Sequence, residues 1–114
     1  MSMVNLQYTD WDVEVLASKK PVVVEFWHES CPICNRVEPT FKQIPEKLGS
    51  GVKVARFNVL ENRENKRLAI EKGVIGTPTI KVYCKGNEVG ELVGLEVLEV
   101  DLAETLKGFI SKCG

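Results

Sequence analysis

An apolar run with one embedded acid, Val22-Val23-Val24-Glu25-Phe26-Trp27, leads across a three-residue break, His28-Glu29-Ser30, into Cys31-Pro32-Ile33-Cys34. Five β-branched and aromatic positions in so short a run predict a strand covered on both faces. Pro32 then predicts the start of a helix, because the first helical position has no N–H bond to lose. Cys31 falls at the N-cap. A side chain there accepts hydrogen bonds from the N–H groups two and three residues on, here Ile33 and Cys34, and it faces the positive end of the helix dipole. A sulfur in that place is favoured as thiolate. Cys34, three residues on, shares a helical face with Cys31 and lies within the Cα separation a disulfide requires. The pair can therefore open and close as a redox couple.

The rest of the chain is compatible with one domain over residues 1–114. That length buries roughly two thirds of the unfolded surface, so a core can form without disulfides. Sixteen acids and fifteen bases are interspersed, which gives no stretch suited to nucleic acid or to a membrane surface. Met1-Ser2-Met3-Val4-Asn5 has neither a basic n-region nor a long apolar segment, and no run reaches transmembrane length. The expected location is the cytoplasm. Four cysteines in a reducing compartment are more often catalytic or metal-binding than structural, and of the four only Cys31 and Cys34 are closely spaced.

Met3 to Tyr8 reads as a weak strand, and Thr9 or Asp10 can cap a short helix with Trp11, Val15 and Leu16 on one side. The helix from Pro32 is expected to run to about Leu48, kinked near Pro39 and broken near Pro45. Val52 to Val59 alternates as a strand, with Val52, Val54 and Arg56 on one face and Ala55, Phe57 and Val59 on the other. Glu61 to Lys72 is a polar helix closed by Gly73. Val74-Ile75-Gly76-Thr77-Pro78 is a loop leading to a strand over Thr79 to Lys85, and Lys85-Gly86-Asn87 turns it into an antiparallel partner, Glu88 to Val93. Gly94 ends that strand. From Glu96 to Lys112 the apolar positions Leu98, Leu102, Leu106, Phe109 and Ile110 form one amphipathic helix. This order, with right-handed crossovers, predicts an α/β fold in which helices cover both faces of a central mixed five-stranded sheet.

Several markers now combine: a buried strand ending Phe26-Trp27, the Cys31-Pro32-Ile33-Cys34 motif, Pro39 inside the next helix, Gly76-Thr77-Pro78 before the fourth strand and Gly94 after the fifth. In this order the chain resembles thioredoxins over nearly its whole length. The resemblance implies the thioredoxin fold and a thiol–disulfide oxidoreductase that reduces disulfide-containing protein substrates and needs no bound cofactor. It makes Cys31 the attacking nucleophile and Cys34 the resolving thiol. Glu25 stands where thioredoxins usually carry Asp, and burial would raise its pKa and fit it to accept a proton from Cys34. Arg56 stands where they often carry Lys, and a guanidinium cannot relay a proton. The other reading turns Glu25 to solvent, with Arg56 a surface charge.

Pro78 matches the family's cis-proline, which would present Thr77 as a backbone edge to an extended substrate; an ordinary trans proline at a strand entry is the alternative. Trp27, Pro32, Ile33 and Gly94 would complete the substrate surface, although core and turn roles suit Trp27 and Gly94 equally. Ser30 and Pro32-Ile33 replace the Trp and the Gly-Pro typical of thioredoxins, and proline after the first cysteine is closer to glutaredoxins. Two electron donors therefore stay open, a thioredoxin reductase-type protein and glutathione. His28 reads as a solvent-exposed loop residue, with a protonated imidazole that raises the local redox potential as the alternative. Cys84 reads as a small buried hydrophobe and Cys113 as a thiol in a frayed tail. A zinc or iron–sulfur site built from all four cysteines is the reading from a different class. The protein is expected to be a monomer.

Overall fold

Alternation on the run Val22–Trp27 sends Val22, Val24 and Phe26 into one core and Val23 into another, so this strand is covered from both sides. The computed structural model describes residues 3–113; Met1, Ser2 and Gly114, which the sequence reading takes into the same domain, lie outside the described residues. In chain order the strands are β1 (Val4–Leu6), β2 (Val22–Trp27), β3 (Lys53–Asn58), β4 (Thr79–Cys84) and β5 (Asn87–Val93). The helices are α1 (Pro32–Phe41), α2 (Ile44–Leu48), α3 (Arg63–Glu71), α4 (Glu96–Glu99) and α5 (Leu102–Ile110). The strands form one mixed sheet in the order β1-β3-β2-β4-β5. Strands β1 and β2 run parallel to β3, whereas β4 runs antiparallel to both β2 and β5. The apolar run is thus the middle strand, and helices lie on both faces.

One core contains Trp11, Val15, Phe26, Phe57 and Ala69 beneath the turns after β1 and beneath α3. Trp11 meets Phe57 and Tyr83 edge-on, with ring centroids 5.9 and 5.3 Å apart, an arrangement favoured by the ring quadrupoles. The other core packs Val37 and Phe41 of α1, Ile44 of α2 and Leu106 of α5 on Val23, Ile80 and Val82. Asn65, fully buried in α3, is satisfied on every side. Its Oδ1 accepts the Tyr8 N–H at 2.8 Å, and its amide donates to the Gln7 side chain at 3.1 Å and the Asn58 carbonyl at 3.0 Å. This ties α3 to the strand ends beside it, because a buried amide is tolerated only when its bonds are made.

Three expectations need correction. The segment after β1 is a 3-10 turn, Tyr8–Asp10, followed by one wide turn, Asp12–Leu16; it buries Trp11 and Val15 but leaves Leu16 exposed. The helix from Pro32 stops at Phe41, and Pro45 sits in the first turn of α2, where it has no bond to remove. The final helix divides at Val100, whose backbone is extended, because the Asp101 side chain accepts the Glu104 N–H at 3.2 Å and starts α5 afresh. The β4–β5 turn is as expected: Lys85 and Gly86 both take positive φ, 51° and 84°, matching the twist of an antiparallel hairpin.

Gly90 of β5 lies under the Phe109 ring of α5, and a Cβ at this position would fall within that ring. Gly90→Ala should lower stability by about 1–3 kcal/mol through overpacking. In a Phe109→Ala background the same change should cost little. Urea unfolding of the four proteins measures both, and an equal cost in the two backgrounds would remove the contact from the account.

Candidate active site

The C-terminal end of β2 builds the site. Its Trp27 carbonyl accepts the Val59 N–H at 2.9 Å, and the His28 carbonyl accepts the Cys31 N–H at 3.3 Å, which closes a tight turn directly before the helix. Cys31 has extended backbone, φ −89° and ψ 109°, and Pro32 occupies the first helical position. The Cys31 Sγ accepts the Cys34 N–H at 3.1 Å. Of the two N–H groups the sequence offers, Cys34's reaches the sulfur. Cys31 and Cys34 are joined as a disulfide with their Cα atoms 5.2 Å apart.

In this oxidised form Cys31 is 4% and Cys34 1% exposed. Beside the covered sulfur Pro32 is exposed and Ile33 half-buried.

Thr77–Pro78 is a cis peptide bond. Since Phe26 pairs with Thr79, Pro78 and Thr77 continue the chain at the end of the sheet where β2 runs out toward Cys31. The Pro78 carbonyl accepts the Gly94 N–H at 2.7 Å, which sets Gly94 beside it, and Gly94 itself takes φ 62°. Thr79 Oγ1 donates to the Gly76 carbonyl at 2.6 Å and holds the preceding loop. Among the described residues, the Thr77 N–H and carbonyl take no part in a backbone or side-chain hydrogen bond. A segment with both groups free can pair with an extended peptide.

Glu25 is completely buried, which rules out the solvent-facing reading. It pairs with Arg56 across β2 and β3, and Arg56 Nε donates to Glu25 Oε1 at 2.9 Å. Burial pushes the Glu25 pKa up from its ordinary 4.5, against the lowering effect of Arg56. The Oε2 atom has no hydrogen-bond partner among the described residues. The Arg56 guanidinium also stacks on the half-buried Trp27 ring, 3.9 Å from its centroid, so one cation connects the buried acid to the indole at the C-terminal end of β2.

The remaining two cysteines are neither a buried lone thiol nor a frayed tail thiol. Cys84 and Cys113 are joined as a second disulfide, with Cα atoms 5.6 Å apart. Cys84 ends β4 at the pole away from Thr77–Pro78, about 17 Å along the strand at the usual rise per residue. The four sulfurs do not converge, so the shared metal site is not formed. One surface also escaped the sequence reading. Leu60, Ile70 and Ile75 are exposed around a shallow apolar groove that reaches His28 and Thr77. An isoleucine set between Val74 and Gly76 in a polar-flanked loop was its only signal.

A family model described as Thioredoxin matches residues 2–108. The chain belongs to the thioredoxin family. It is 31% identical to a thioredoxin of Acetoanaerobium sticklandii over 108 residues, which cover 95% of this chain and all of that protein. A thioredoxin of Pyropia yezoensis is 32% identical over 97% of this chain and the whole of its own, and one from Rickettsia typhi is 36% identical over 73% of this chain and 76% of its own. With a thioredoxin fold and a CxxC disulfide at the N-terminus of α1, the chain is a thiol–disulfide oxidoreductase. Among the described residues no helix is long and apolar enough to cross a membrane.

The raised pKa of Glu25 has a definite sign in stability. Above pH 4.5 the unfolded chain ionises Glu25 while the folded protein still holds the proton, so ionisation favours unfolding. Stability present at lower pH is lost as pH rises through the folded-state pKa. The stability of the protein minus that of Glu25→Gln should therefore fall as pH increases from about 4.5 and then level off. Denaturant unfolding at a series of pH values measures this difference; a flat or rising curve would contradict it.

Proposed function

We propose that Cys31 is the nucleophile and Cys34 the resolving thiol in the reduction of protein disulfides. The Cys31 thiolate attacks one sulfur of a substrate disulfide, forms a mixed disulfide and releases the other substrate sulfur as a thiolate. The Cys34 thiolate then attacks Cys31 Sγ, closes the bond present in this structure and frees the second substrate sulfur. Two electrons pass from the dithiol to the substrate. The observation that carries this reading is the N-cap geometry, in which the Cys34 N–H donates to the Cys31 sulfur, whereas among the described residues no N–H donates to the Cys34 sulfur.

Glu25 serves as acceptor for the Cys34 proton. Its burial on the sheet face beneath α1, its raised pKa and its unpartnered Oε2 support that role. Arg56 does not relay the proton; it positions Glu25. Thr77 supplies the substrate edge, while Trp27, Pro32, Ile33, Pro78 and Gly94 shape the surface around the disulfide. The apolar groove at Leu60, Ile70 and Ile75 extends this surface.

The protein works as a cytoplasmic monomer, one domain over residues 1–114, recharged by a thioredoxin reductase-type donor. Pro32, exposed directly after Cys31, keeps glutathione as the second donor.

Cys34→Ser should turn the protein into a trap: Cys31 still attacks, but the mixed disulfide persists. Insulin reduction should fall at least a hundredfold, and reductant-sensitive covalent complexes should accumulate on non-reducing gels of cell extract. Cys31→Ser should trap far less. Equal trapping by both variants, or none by Cys34→Ser, would overturn the assignment. Supplying the wild-type protein with either NADPH and a thioredoxin reductase or reduced glutathione then identifies the donor.

A further inference from the structure

Cys84 and Cys113 lie outside the exchange described above, yet the fold brings them together from 29 residues apart. Cys84 is the last residue of β4, next to the Lys85-Gly86 turn, and Cys113 closes the 3-10 turn Ser111–Cys113 that follows α5. Their Cα separation of 5.6 Å lies within the range a disulfide accepts, and Cys84 Sγ also approaches the Cys113 carbonyl at 3.8 Å. Helix α5 is anchored at its beginning by Leu102, Ala103 and Leu106 in the core, but Lys107, Gly108, Ser111 and Lys112 are exposed. Phe109 and Ile110 are half-buried against the same core, so the covalent link acts just past the last packed turn of the helix. Both cysteines are half-buried, so a small thiol or disulfide can reach them. The Cys31–Cys34 pair of the same molecule cannot, because the length of β4 lies between.

We propose that Cys84 and Cys113 form a second, reversible dithiol–disulfide couple, a staple that fastens the end of α5 to β4 under oxidising conditions and releases it under reducing ones. The oxidant is a low-molecular-weight disulfide of the glutathione class. One cysteine thiolate attacks it, forming a mixed disulfide and releasing one small thiolate. The other cysteine thiolate then attacks the protein sulfur of that mixed disulfide and releases the second small thiolate. Two electrons move from the protein to the small disulfide; two protons leave the cysteines and are taken up by the released thiolates. The new bond closes a long loop in the unfolded chain and so raises the melting temperature, on the order of 10 °C for a domain of this size.

The test uses the full chain carrying Cys31→Ser and Cys34→Ser, so that Cys84 and Cys113 are the only thiols. The protein is equilibrated in mixtures of reduced and oxidised glutathione, quenched with an alkylating agent and weighed intact; parallel samples are melted. The expected result is that both thiols disappear together and that the oxidised form melts about 10 °C above the reduced form. Adding Cys113→Ser should abolish the shift and leave the melting temperature close to that of the reduced parent. The proposal is overturned if both thiols stay alkylatable at every glutathione ratio. It is equally overturned if a glutathione adduct is the stable product, or if oxidation leaves the melting temperature unchanged.

Discussion

A single hydrogen bond, from the Cys34 N–H to the Cys31 sulfur, requires much of the surrounding architecture. It needs extended backbone at Cys31 and a helix beginning one residue later, a combination that Pro32 favours by fixing φ and lacking a donor. It also needs that helix to start directly beyond a strand held rigidly in place. β2 meets this need because it is the middle strand, bonded to β3 on one side and β4 on the other and buried along five of its six residues. Helix α1 is held down by Val37 and Phe41 in one of the two cores, which fixes its N-terminus over the strand end.

A second link runs through charge. Glu25 in the middle strand is tolerated because Arg56, its partner across the sheet, satisfies one carboxylate oxygen. The same guanidinium covers the Trp27 ring at the rim of the site. Replacing Arg56 by lysine would keep a positive charge but lose the planar stack and the fixed Nε–H geometry. Electrostatics below the disulfide and shape beside it are thus coupled through one side chain.

The motifs around the site were legible because each is local. Val22 to Trp27, the Cys31-Pro32-Ile33-Cys34 turn, the Lys85-Gly86 hairpin and the cap at Gly73 depend on residues within a few positions of one another. The faces of β3 were also readable from alternation, including the side on which Arg56 meets Glu25. What stayed hidden depends on distance in the chain or on competition between weak signals. Nothing near Cys84 points to Cys113, since their approach follows from where α5 lands on the sheet. The apolar spacing through Leu98, Leu102 and Leu106 is continuous, and only the capping bond of Asp101 divides the helix. The Cys31–Cys34 pairing was legible from its spacing, whereas the burial of both sulfurs depends on how α1 and the neighbouring loops pack and has no local signal.

The central claim is that helix position, and not the Cys-Pro-Ile-Cys composition alone, selects Cys31 as the reacting sulfur. Alkylation of the reduced protein by iodoacetamide, followed against pH with the labelled residue identified by mass spectrometry, tests it most directly. Label should enter Cys31 first, and its rate should rise at a pH below that of a free cysteine, near 8.5. Preferential labelling of Cys34, or a Cys31 rate profile like that of a free thiol, would contradict the account.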